Sequence, residues 1–90
     1  MNIRTLQNFE YIHGLATTES ARLDAILAFA PLINSWLDRN TVKGNRRAVK
    51  ASRKAYRKIQ AFADFEQLTA PSQELAAVKV CQRRLAGLVR

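Results

Sequence analysis

At 90 residues the chain is long enough for one domain and no more. Lys and Arg total 15 against 7 Asp and Glu, giving a net charge of +8 and a pI near 10.6. A hydrophobic content of 48% with only 3 Gly and 2 Pro excludes a disordered tail or collagen-like repeat, and a single Cys and single His exclude an internal disulfide and a Cys/His zinc cage.

Apolar periodicity predicts four helices and no strand, in a sequence rich in Ala, Leu, Arg, Lys and Gln. The first, about residues 3–13, carries Ile3, Leu6, Phe9 and Ile12 at three-residue steps, with Gly14 as its expected stop. Thr17 and Thr18 are N-cap candidates for the second, with Glu19 placed to complement its dipole. That second helix, residues 19–38, holds Leu23, Ile26, Leu27, Phe29, Leu32, Ile33, Trp36 and Leu37. Only a narrow strip of Asp24, Ala28, Pro31, Ser35 and Asp38 is left for water, so this helix is expected to be the hub, kinked near Pro31. So wide an apolar girdle also admits a homodimer.

Asn40, Gly44 and Asn45 mark a break, and Asn45 is the natural cap for a third helix over residues 46–68. Thr69-Ala70-Pro71-Ser72 reads as a turn, with Thr69 or Ser72 capping a fourth helix over residues 73–89. This last segment has a regular stripe of Leu75, Val78, Cys81, Leu85, Leu88 and Val89. The expected architecture is a single all-α domain over residues 1–90, a four-helix bundle whose short loops make neighbouring helices antiparallel.

The third helix carries the strongest signal. Nine basic residues fall between Arg39 and Lys58, and no acid occurs between Asp38 and Asp64. A seven-residue repeat, Arg46-Arg47-Ala48-Val49-Lys50 then Arg53-Lys54-Ala55-Tyr56-Arg57, supplies most of them. On a helical wheel the cations from Arg46 to Lys58 share an arc of roughly 140°. Ala48, Val49, Ala51, Ser52, Ala55, Tyr56, Ile59 and Phe62 lie opposite. Crowded like charges weaken a helix by a few tenths of a kcal/mol per pair. A merely solvated face would mix signs, so the arrangement points to an anionic partner. Lys43, Arg46, Arg47, Lys50, Arg53, Lys54, Arg57 and Lys58 are the candidate binding residues. Arg46, Lys50, Arg53 and Arg57 form their central line. A smaller basic group, Lys79, Arg83 and Arg90 with Arg84 to one side, lies on the fourth segment.

Little supports catalysis. His13 and Cys81 are the one nucleophile–base pair, and both fall on core-facing arcs. The carboxylates show no paired motif and read as caps or local partners of cations. No phosphate-cradling glycine loop, G-x-S-x-G or H-E-x-x-H is present. The chain is therefore expected to be no enzyme and to need no cofactor or metal. Its longest apolar run, residues 25–33, is far short of the ~20 residues of a membrane span, and residues 1–10 do not read as a signal peptide. With one Cys, a reducing cytoplasmic setting is expected.

The leading functional reading is non-catalytic binding of nucleic acid, RNA or DNA, through phosphate contacts from the basic helix. The alternative is a phage- or mobile-element-type inhibitor or adaptor that sets the same cations against an acidic protein surface or occupies a host complex's nucleic-acid channel. A membrane surface fits poorly, since the apolar face carries Ala and Tyr and is needed for the core.

Overall fold

Helix α1 spans Arg4–Leu15, and the computed structural model of the chain describes residues 1–62 and 72–89. The side chain of Asn2 accepts from the Arg4 N–H at 2.8 Å, satisfying the first donor of the helix. Ile3, Leu6 and Phe9 are buried, but Ile12, expected on the same face, is 43% exposed. A three-residue step lags a full turn by about 60°, so the fourth residue of such a series has drifted to the far side. Gly14 does not end the helix as expected. The backbone runs through it and ends at Leu15, with Ala16 extended and its N–H returning to His13 O at 3.2 Å. Extended residues here feed directly into the next N-cap, so no left-handed glycine is required.

Helix α2, Glu19–Arg39, begins at Thr18, whose hydroxyl accepts from Ala21 N–H at 3.1 Å. Pro31 is accommodated inside this one helix, on the expected solvent strip with Asp24, Ala28, Ser35 and Asp38, all exposed. Water can serve the carbonyl that Pro31 leaves without a partner. Ile26, Ile33, Trp36 and Leu37 are buried with Ala25 and Ala30. Leu32, assigned to the core by its chemistry, is 53% exposed because it borders the strip, next to Pro31.

Helix α3 covers Arg46–Gln60 and is capped as expected, Asn45 Oδ1 accepting from Ala48 N–H at 3.0 Å. Gly44 ahead of it has φ 87°, a left-handed turn in which a side chain would be strained. The helix ends eight residues before the expected 68, at the point where the basic pattern rotates off its arc. Phe62 N–H closes a tighter turn onto Ile59 O at 3.2 Å. Residues 63–71, including Asp64, Glu66, Leu68 and the cap candidate Thr69, lie outside the described residues. Helix α4, Ser72–Val89, starts one residue before the expected boundary. Its stripe faces inward, with Val78, Cys81 and Leu85 fully buried.

The four helices pack in a ring, α1 beside α2 and α3, and α4 beside α2 and α3. Trp36 Nε1 donates to Asn2 O at 2.8 Å, and the Phe9 and Phe29 rings lie 5.6 Å apart, so α1 and α2 are antiparallel. Asn34 Nδ2 donates to Ala77 O at 3.1 Å and Asp38 pairs with Arg84 at 2.8 Å, so α2 and α4 run the same way. Glu10 pairs with Lys54, and His13 lies near Arg57 and Lys58, so α1 and α3 are also parallel neighbours. Helices consecutive in the chain thus run in opposite directions, as expected from short loops, but α2 and α3 occupy opposite corners, so the adjacent pairs α1–α3 and α2–α4 are parallel. Helix axes 8–10 Å apart put those corners about 14 Å from each other, and a six-residue link reaches about 20 Å. Val42 plugs the bundle end beneath that link, at 2% exposure. In consequence α2 is not the hub expected, since in the ring it packs mainly on α1 and α4 and barely meets α3.

Because Asn45 fixes where α3 begins, Asn45→Ala is expected to lower stability by about 1 kcal/mol. Urea denaturation followed by circular dichroism checks this, and an unchanged midpoint would mean the cap carries no weight.

Candidate functional site

The rotation of α3 is set by small residues. Ala48, Ser52, Ala55 and Ile59 are buried at four-, three- and four-residue spacing, which lets the helix lie close to the core. The Ser52 hydroxyl has no hydrogen-bond partner, so its place in the core rests on size rather than polarity. With that face fixed, Arg46, Arg47, Lys50, Arg53, Lys54 and Arg57 are exposed on the other, and Lys58 is half-buried. Lys43 is exposed in the turn that leads into the helix. The structure therefore brings the seven candidate residues of α3 onto one face, while Lys43 lies at the end of the bundle beside Leu37, Arg84 and Leu88. From Arg46 to Lys58 the row is about 18 Å long at 1.5 Å per residue.

Few acids relieve it. Glu10 reaches Lys54 at 3.5 Å, both side chains being close to half exposed, where an ion pair contributes little. Among the described residues, no carboxylate pairs with Arg46, Arg47, Lys50, Arg53 or Arg57. A further ion pair is structural: Arg84 on α4 meets Asp38 at 2.8 Å and also donates to Asn34 O at 3.1 Å. That turns Arg84 toward α2 and removes it from the second basic group. Lys79 and Arg83 are exposed on a helix adjoining α3, and Arg90 is outside the described residues.

At the far end of the row, His13, Glu19, Arg22, Arg57, Lys58, Ala61 and Phe62 line a depression of about 400 Å³. Arg57 and Lys58 sit in the last turn of α3, where the helix dipole favours positive charge, and Arg22, in the first turn of α2, donates to Ala16 O just past the end of α1 at 3.4 Å. The His13 ring packs edge-on against Phe9 with centroids 5.6 Å apart, and its Nε2 is buried without a partner. Burial, then the nearby charges of Lys58 and Arg22, hold its pKa below the usual 6.5. The unfolded chain therefore takes up the proton more readily than the folded one. The stability that neutral His13 contributes is present above pH 6.5 and lost as pH falls through its lower folded value. His13→Gln is expected to flatten the decline in stability between about pH 7 and 5. An unchanged pH profile would show that His13 is not the group responsible.

Cys81 offers no nucleophile. It is fully buried in the α4 stripe, and burial pushes its thiol up to about 12, against a smaller opposing pull from Arg84. His13 and Cys81 sit on the diagonal pair α1 and α4, which share little contact. Among the described residues no His, Cys, Asp and Glu side chains cluster as a metal site would require. None of the described helices is long and apolar enough to cross a membrane.

No family model, curated protein or solved structure matches this chain. The reading of its function rests on the site itself.

Sequence reasoning found the cationic face but not what flanks it. Tyr11, on α1 beside α3, is 66% exposed, more than any other large hydrophobic side chain among the described residues. Its signal is in the spacing, since Gln7, Tyr11 and Gly14 recur at helical steps about 80–140° round from Leu6, on a flank the apolar pattern leaves to water.

Proposed function

We propose that the chain is a non-catalytic nucleic-acid-binding domain that holds phosphates with the exposed face of α3. The observation that carries this reading is the row of Arg46, Lys50, Arg53 and Arg57, exposed on a well-packed helix and paired with no described carboxylate. Evenly spaced cations on a rigid helix match the repeating charge of a phosphate backbone, and their mutual repulsion is relieved only when an anion arrives. Guanidinium groups, which form most of the central line, donate in a fork that suits phosphate oxygens. Such contacts position the domain on a backbone and carry no sequence information directly.

Anisotropy titration of labelled duplexes of several unrelated sequences at low salt tests the proposal. Binding is expected to all of them, weakened to the same degree for each by Arg53→Gln with Arg57→Gln. Both side chains point away from the core, so the variant should keep the wild-type far-UV spectrum. Absence of binding to every nucleic acid, together with loss of an acidic protein partner on the same substitutions, would replace this reading with that of a protein-docking inhibitor or adaptor.

A further inference from the structure

The cationic row has a second row beside it. Helices α1 and α3 lie side by side and run the same way, with Glu10 facing Lys54 at 3.5 Å and, further on, His13 and Lys58 lining one depression. Along α1, Gln7, Tyr11 and Gly14 follow one another at four- and three-residue steps, and all are exposed. They occupy the arc between the outermost line of α1 and the side that meets α3 through Glu10. This puts them on the same flank of the bundle as Arg47, Lys50 and Lys54.

Each member of the second row suits an unpaired base. Tyr11 presents a largely exposed aromatic ring. A side chain added at Gly14, one turn further on, would meet nothing within 4 Å, so the space next to that ring is open. Gly14 takes no left-handed φ, and no close packing within the chain calls for it. Gln7 offers an amide that can both donate to and accept from a base edge. From Gln7 to Gly14 the track is about 10 Å long, room for two or three stacked bases. A duplex hides its base faces and gains nothing from such a track, whereas a single strand can place phosphates on one row and bases on the other.

Resting on the nucleic-acid reading above, we propose that the α1–α3 flank is a single-strand site, in which Arg47, Lys50 and Lys54 take the phosphates and Tyr11 stacks a base. Glu10 then acts as a stand-in that holds Lys54 in place until a phosphate displaces it.

The test compares wild type, Tyr11→Ala and Tyr11→Phe on a labelled 12-nucleotide oligo-dT, the matching oligo-U and a duplex, each at several salt concentrations. Tyr11→Ala is expected to weaken both single strands by roughly tenfold, in line with loss of one base–aromatic stack. Its salt slope and duplex affinity should stay those of wild type, and Tyr11→Phe should retain most of the single-strand affinity. Single-strand binding that ignores Tyr11→Ala, or a duplex that loses as much, overturns the stacking site while leaving phosphate binding by α3 intact. Wild type that binds neither form overturns the nucleic-acid reading itself, and this inference with it.

Discussion

Ile33→Ala is expected to destabilise the protein by ~2–5 kcal/mol, the range for opening a cavity in a close-packed core. Ile33 has no exposed surface, and it sits on α2 between the α1 and α4 contacts. Little around it can collapse into the space, because its neighbours are pinned. Trp36, one turn along, is tied to Asn2 O, and Asn34 beside it is tied across to α4. Since domains of this size are stable by about 5–15 kcal/mol, the variant should melt far lower or fail to fold at growth temperature. Leu27, equally apolar and on the same helix, is only half-buried, so Leu27→Ala should be distinctly milder. Chemical denaturation of the two variants side by side checks this. Equal and small losses would mean that α2 is not in the core, and the face assignments of the other helices would fall with it.

How legible the molecule was differs between its helices, for physical reasons. The face of α3 could be read residue by residue, because seven cations and the small residues Ala48, Ser52 and Ala55 separate cleanly on the wheel. Caps were equally readable: Thr18 and Asn45 have short side-chain oxygens that can reach a backbone N–H three residues on, and each does. Ile12 and Leu32 were misassigned because hydrophobic chemistry says that a side chain would gain from burial, not that a neighbour exists to bury it. The ring order of the helices was hidden for a related reason. Amphipathic patterning marks an inward face but names no partner, and the six-residue link through Gly44 and Val42 is long enough for either an adjacent or a diagonal placement. Gly14 shows the limit of local rules: it is a natural helix stop, yet the helix runs on to Leu15 and gives way to an extended Ala16 ahead of the extended cap Thr18. Tyr11 is hard to pick out because its partners at helical spacing, Gln7 and Gly14, are polar or small, and apolar periodicity registers neither.

Phosphate contact by the α3 row makes a quantitative demand on salt dependence. Each phosphate neutralised on duplex DNA releases condensed counterions, so log K falls with log salt at about −0.9 per contact. Contacts from Arg46, Lys50, Arg53 and Arg57 would then give a slope of about −3.6. Removing two charges by Arg53→Gln with Arg57→Gln should bring it to about −1.8, with the same loss on every sequence. This separates phosphate contact from a general effect of net charge, because a matched variant, Lys79→Gln with Arg83→Gln on α4, lowers the charge equally and leaves the four α3 contacts in place. The most direct measurement is therefore the salt titration of duplex binding for wild type and these two double variants. The account predicts a slope near −3.6 that halves only for the α3 variant. A slope that is equally steep in all three proteins, or that flattens equally in both variants, would contradict it.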